Sequence, residues 1–344
     1  MVSGSSALSL RSRRGGGFGS LLRISFRYTH RVTPFTATGR SARGTLAGSC
    51  ILGLSLTLLA TPVAAESPVG AVFLRVGVGA RSAGLADADI VTAADASLLH
   101  TNPAGLGHLE RREILLLHNE WLADVRQEFI GGVFPIGRGG LGLAANGFYV
   151  GNIPRYVDEV PTAEAQGDFG AYDLAIMAGY GHPLAAGLTG GAVVKGIFQH
   201  IDIESASSFA LDVGARYETP IEGLALAAVV TNIGPSIDFG GSPADLPLEG
   251  RAGAGYRHAI GPFDAGIYAL YHASRQLNPR VHAGAEIGAH GIYLRAGGKT
   301  GYDAEDVAFG LGCEHGRFAV DYAFVPFSED LLGEAHRVSL AFSP

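Results

Sequence analysis

The chain has 344 residues, with 51 Gly, 16 Pro, 17% charged residues and a formal net charge of −7; that is enough for one large barrel or two ordinary domains. The charge is split: residues 1–65 hold eight Arg and no Asp, Glu or Lys, so the remainder carries 17 basic against 32 acidic residues, a net of −15. An acidic body argues against nucleic-acid binding, a single body cysteine, Cys313, excludes a disulfide framework or a cysteine metal site, and no apolar run past residue 65 approaches the roughly 20 residues of a spanning helix.

In chain order, Arg40 and Arg43 precede an apolar run over 46–60, and Val63-Ala64-Ala65 follows. A basic segment, an apolar core and small residues before a cut describe a signal peptide, so cleavage is expected after Ala65 with Glu66 as the first mature residue. The run is short for a membrane anchor, and Leu46-Ala47-Gly48-Ser49-Cys50 has one residue too many for a lipoprotein signal, with its Cys ahead of the apolar stretch from Ile51. Residues 1–39 are long for an n-region and read either as a start assigned too far upstream or as a mitochondrial-type presequence.

Residues 66–110 are rich in Ala, Gly and Asp and show no sustained alternation. From Glu113 to Phe342 the chain is a succession of strand-like runs of about 9–11 residues, the length that crosses a membrane when tilted. Phe209, Leu211, Val213, Ala215 and Tyr217 share one face and Ser208, Ala210, Asp212, Gly214 and Arg216 the other. Val307, Phe309, Leu311 and Cys313 repeat the pattern, as do Phe318, Val320, Tyr322 and Phe324, then Val338, Leu340 and Phe342. A period of two with one apolar face fits a sheet touching lipid or a core. Tight connections fall at Arg138-Gly139-Gly140, 182–187, 219–223, Ile260-Gly261-Pro262, Ala289-His290-Gly291 and 314–317; mostly longer loops, such as 151–168, 234–247 and 326–335, lie between them. Six tight turns alternating with seven other loops give 14 strands, with both termini on the tight-turn side, as in bacterial barrels. The expectation is an all-β fold: a 14-stranded antiparallel transmembrane β-barrel over 111–344 with an N-terminal hatch over 66–110. A soluble β-sandwich also shows one-sided alternation; the export signal, strand length and even count favour the barrel.

By the same alternation Asp212, Arg216, Arg251, Arg257, Glu286, Arg295 and Asp321 face the lumen, where unpaired charge is costly, so they should pair with each other or with the hatch. Arg75 and Arg81 of the hatch are candidates to neutralise wall carboxylates such as Asp212 or Asp321. Asn102-Pro103-Ala104-Gly105 reads locally as a turn, since Pro fixes φ and Gly permits a left-handed conformation. The 12 His are scattered without His-Glu-x-x-His spacing, no nucleophile is placed beside a base, and Gly139-Gly140 and Gly240-Gly241 do not open helices after strands. No enzyme activity, metal or cofactor is expected.

The segment Ala71-Val72-Phe73-Leu74-Arg75-Val76-Gly77-Val78-Gly79-Ala80-Arg81-Ser82-Ala83-Gly84-Leu85 resembles the opening of PorV/PorQ-family outer-membrane proteins. So do Ala94-Asp95-Ala96-Ser97, Asn102-Pro103-Ala104-Gly105-Leu106, Asp212-Val213-Gly214-Ala215-Arg216-Tyr217, Thr231-Asn232-Ile233-Gly234, Leu294-Arg295-Ala296-Gly297, Val320-Asp321-Tyr322-Ala323-Phe324 and the run from Gly333 to Leu340. The resemblance spans 70–342; it departs at Thr101, where the family has an aromatic residue, and at the Phe342-Ser343-Pro344 terminus, which ends past the usual aromatic. It implies a FadL-like outer-membrane barrel whose N-terminal segment plugs it, with Asn102-Pro103-Ala104-Gly105 as a hatch turn sealing the lumen. It further implies a docking component of a type IX-like secretion apparatus, with secreted cargo or secretion-system subunits as partners beside outer-membrane lipid. The alternatives are a FadL-like transporter of a hydrophobic ligand and a structural outer-membrane protein. The transporter reading predicts an apolar pocket between hatch and wall; docking predicts an exposed apolar cleft on the extracellular side.

Overall fold

The structure, a computed structural model, describes residues 68–92, 95–156, 165–302, 305–327 and 333–344. The leader, its apolar run, the cleavage point after Ala65 and Ala94 lie outside the described residues. Among those described, no helix is long and apolar enough to cross a membrane.

Fourteen strands close an antiparallel barrel in which each strand pairs with its sequence neighbour and the first pairs with the last. The strands are β1 (Glu113–Glu120), β2 (Arg126–Ile136), β3 (Gly139–Pro154), β4 (Asp168–Ala185), β5 (Leu188–Ile201), β6 (Glu204–Glu218), β7 (Leu224–Ile233), β10 (Glu249–Ile260), β11 (Phe263–Ser274), β12 (Arg280–Ala289), β13 (Ile292–Thr300), β14 (Val307–His315), β15 (Phe318–Pro326) and β16 (Glu334–Phe342). A small hairpin, β8 (Ile237–Phe239) with β9 (Ser242–Ala244), sits in the loop between β7 and β10. All six expected tight turns are present on one side, together with the start of β1 and the end of β16. At Ala289–Ile292 both central residues have positive φ (His290 53°, Gly291 81°), the twist a two-residue hairpin needs.

Two details differ from the sequence expectation. Strands β3 to β6 run to 16, 18, 14 and 15 residues, longer than a tilted crossing requires, because their polar ends continue to pair beyond the apolar zone. The β5–β6 connection on the loop side is also tight, a two-residue turn at Asp202-Ile203, since both long strands stay hydrogen-bonded to their ends.

The outer face is apolar. Leu116, Ile130, Leu143, Ile176, Val194, Phe209, Ile267, Leu294, Leu311, Val320 and Leu340 are all exposed on it. Such a continuous belt on a closed barrel is soluble only in a bilayer. Tyr–His pairs mark its edges: Tyr180 with His182 and Tyr256 with His258 towards the tight turns, Tyr172 with His200 and Tyr322 with His336 towards the loops. Amphipathic rings of this kind suit the water–lipid boundary.

Cys313 continues the outward series of β14 and is exposed and unpaired. In detergent or vesicles it is expected to react readily with a lipid-soluble maleimide and slowly with a membrane-impermeant one. Fast labelling by the impermeant reagent would contradict the assigned face.

The hatch fills the lumen. It comprises a 3-10 turn (Val72–Arg75), helix α1 (Ala80–Gly84), helix α2 (Leu98–Thr101) and a second 3-10 segment (Pro103–His108). Its first described residues meet the loop side, where Val69 bridges Asp245, and Pro103–His108 rests near the tight-turn end against β4, β5 and β6. The Ala, Gly and Asp content of this segment suits close packing in a polar lumen. In fact much of the lumen is apolar: Val78, Leu98, Leu99 and Leu106 pack against Leu115, Leu117, Phe129, Val133, Met177 and Val193 of the wall. Each fully buried side chain of this size contributes roughly 1.5–3 kcal/mol, so the hatch is held as a core is held. The sequence hid this because β1, β2, β4 and β5 carry apolar residues on both faces, which blurs the period-two signal.

Candidate functional site

Asn102-Pro103-Ala104-Gly105 begins a 3-10 segment, not a simple turn. Asn102 caps it by accepting from the Ala104 N–H at 3.1 Å, as an Asx residue does at a helix start, and its Nδ2 reaches Ile90 O and Ala215 O at 3.4 and 3.3 Å. Pro103 lies directly against the wall at Gly191, where an added Cβ would come within 2.2 Å of Pro103 O. Only glycine permits so close a backbone approach.

The lumen charges separate into groups. Asp212 is fully buried and pairs with Lys195 at 2.7 Å. Arg216 donates to Val91 O at 2.7 Å and pairs with Glu218. Arg251 donates to His100 O at 3.1 Å, whereas Arg257 is exposed at the tight-turn mouth. Glu286, Arg295 and Asp321 form one network: Arg295 bonds Glu286 at 2.5 Å and Asp321 at 2.6 Å, and Arg81 bonds Glu286 at 3.1 Å and Asp89 at 2.7 Å. The hatch arginines therefore do neutralise wall carboxylates, but different ones from those expected. Arg81 meets Glu286, and Arg75 meets Glu249 at 3.0 Å, because Asp212 and Asp321 already have cationic partners within the wall.

A cavity of about 440 Å³ lies on the loop side between hatch and wall. Its apolar side is Val72, Phe73, Trp121, Val125, Phe148 and Leu270, with Phe73 and Trp121 set edge-on to Phe148 at 5.7 and 6.1 Å between ring centres. Its polar side is partly paired. Lys299 binds Asp87 at 2.7 Å and Glu305 at 2.8 Å, and His272 joins Glu249 at 3.1 Å. Tyr302 and the Ala86 carbonyl hold the two ring nitrogens of His282 at 3.1 and 2.7 Å. Burial alone would raise the Asp87 pKa, but the Lys299 ammonium and the Arg337 guanidinium reverse this and hold it well below the usual carboxylate range. Burial, reinforced by Lys195 and Arg251, pushes His100 well below the usual imidazole range, so it is neutral. The cavity thus offers aromatic surface beside a polar wall in which Lys299, Asp87 and Glu249 are ion-paired, whereas Arg251, Arg280 and Arg337 donate to backbone carbonyls. No group of three or more His, Cys, Asp or Glu side chains among the described residues is placed to hold a metal ion.

Sequence reading missed Lys195, Glu249, His272, His282, Lys299 and Trp121. The one available signal was rarity: the only two body lysines and the only Trp of the chain all face the lumen.

The model of the uncharacterised protein family UPF0164 matches residues 64–211, a similarity over less than half of the chain; PorV/PorQ membership does not follow from it. No curated protein matches the sequence. Among solved structures, the "CymD monoaromatic hydrocarbon channel" is similar with TM-score 0.58 and 12% identity, covering 78% of this chain and 98% of that one. The toluene transporter TodX of Pseudomonas putida gives 0.53 and 11%, covering 77% and 96%, and a Pseudomonas aeruginosa FadL homologue 0.52 and 10%, covering 81% and 100%. Together with the apolar belt, these matches make the chain a bacterial outer-membrane β-barrel of FadL-like fold.

Proposed function

We propose that this barrel is a plugged, non-catalytic channel that admits small, largely apolar molecules from the outside through the loop-side cavity. The observation that carries this reading is the cavity itself: aromatic walls from both hatch and barrel, facing a polar wall of hydrogen-bonding groups. Aromatic surface with a few hydrogen-bonding groups is the usual make-up of a small-molecule pocket. The fold this barrel shares with a toluene transporter and a monoaromatic hydrocarbon channel supports the same class of ligand. A docking role for secreted cargo or secretion subunits, implied by the PorV/PorQ resemblance, asks for an apolar cleft turned outwards. Phe73 and Phe148 are instead 3% and 4% exposed and face inwards, which favours uptake.

Trp121 makes the reading directly measurable, since it is the only tryptophan. Titrating the refolded protein with toluene is expected to change Trp emission saturably, and Phe148→Ala should weaken the apparent affinity by roughly tenfold, as for loss of an aromatic contact. A linear, non-saturating response identical in both proteins would overturn it.

A further inference from the structure

Four internal spaces line up across the hatch and share their lining residues in series. The loop-side cavity of about 440 Å³ touches Ser82. Ser82 also lines a space of about 10 Å³ together with Arg81, Asp89, Ser97, Asp321 and Ser339. Arg81 and Asp321 pass on to a chamber of about 140 Å³. That chamber shares Thr92, Arg111 and Arg257 with a space of about 730 Å³ opening among the tight turns. The narrowest member has room for about one water molecule. Its lining is polar almost throughout, and the side of α1 turned away from it is closed by contact between Gly84 and Gly310, where an added Cβ would come within 2.8 Å of backbone.

We infer that the hatch contains a polar passage for water and small cations, separate from the apolar surface of the loop-side cavity, and that the Arg81 side chain is its stopper. The guanidinium spans the constriction, held at one end by Asp89 (2.7 Å) and at the other by Glu286 (3.1 Å). Asp89 is itself fixed by Ser82 at 2.5 Å, and Ser339 fixes the start of α1 by accepting from the Ala80 N–H at 2.7 Å. With Arg81 shortened, the constriction keeps the carboxylates Asp89, Asp95 and Asp321. Asp321 keeps its partner Arg295 while Asp89 loses its ion pair with Arg81, so the field there is negative and favours cations. The inference does not depend on the ligand of the loop-side cavity, because it concerns ions and the constriction at Arg81.

The test is conductance of the full-length protein in planar bilayers, with the heat-modifiable shift of the folded barrel on gels as the folding control. The wild type is expected to conduct weakly. Arg81→Ser should raise the mean conductance several-fold, with a reversal potential in asymmetric KCl of cation-selective sign. Arg81→Lys, which keeps the charge on a slimmer head, should be intermediate with the same sign, and it carries the test if Arg81→Ser does not insert. Wild-type conductance in the inserted variants would overturn the inference, as would an anion-selective or unselective increase. A rise to the level of a barrel lacking its whole hatch would also overturn it, since that would report unseating of the plug and not an opened passage.

Discussion

Deleting residues 70–110 is expected to leave a barrel that still inserts but conducts ions on the order of tenfold or more above the intact protein, because a closed barrel of this strand number encloses a water-wide lumen once its filling is removed. The wall should tolerate the loss. Every barrel strand keeps both hydrogen-bonded neighbours without the hatch, and Glu249, Glu286 and Lys299, now paired with hatch residues, would face water instead of sitting buried without partners. What disappears is the apolar packing of Val78, Leu98, Leu99 and Leu106 on the wall, which exposes Leu117, Phe129 and Met177 to the lumen and lowers thermal stability. Bilayer recordings beside the intact protein decide the matter. Normal insertion with unchanged conductance would show that the segment is not a plug, and the uptake reading would lose the cavity on which it stands.

The second large effect is expected at Lys195. Its ammonium and the Asp212 carboxylate are 1% and 0% exposed and 2.7 Å apart. They sit where the β6–β7 register shifts, between Leu211 and Val213. Asn232 adopts φ 63° there, a left-handed conformation that Asn tolerates better than most residues. Its N–H bonds Asp212 at 2.8 Å and its Oδ1 accepts from Lys195 at 2.8 Å. Lys195→Met leaves a buried carboxylate without its counter-charge and should destabilise the barrel by about 3–5 kcal/mol. Adding Asp212→Asn removes the stranded charge while keeping an acceptor for the Asn232 N–H, so the double variant should regain a large part of that loss. Urea unfolding in micelles, followed by the heat-modifiable band, measures both. A single variant as stable as the wild type would mean that the pair is not held in a water-free wall.

Sequence and structure agree best where the physics is local. The outward series through Phe209, Leu211 and Val213, or Phe309, Leu311 and Cys313, was legible because successive strand residues must point to opposite faces. Turns such as Ala289-His290-Gly291 were legible because few residues accept positive φ. The Asn102-Pro103 element announced a break but not its form: whether Pro103 opens a 3-10 segment or closes a turn depends on Gly181, Gly191 and Gly214 making room for it from strands far along the chain.

The sequence by itself therefore determined that the chain forms a barrel of 14 strands, which residues meet lipid, which end carries the tight turns, and that residues 66–110 are not part of the wall. All of this follows from period-two geometry and turn chemistry acting over a few residues. Only the tertiary structure decided which charges pair, that much of the lumen is an apolar core, and that a cavity and a chain of polar spaces remain within it. Arg75 reaches Glu249 and Arg81 reaches Glu286 across 174 and 205 residues. Which carboxylate lies opposite a given hatch side chain is set by the path of the hatch through the closed barrel, and no local pattern along the chain encodes that path.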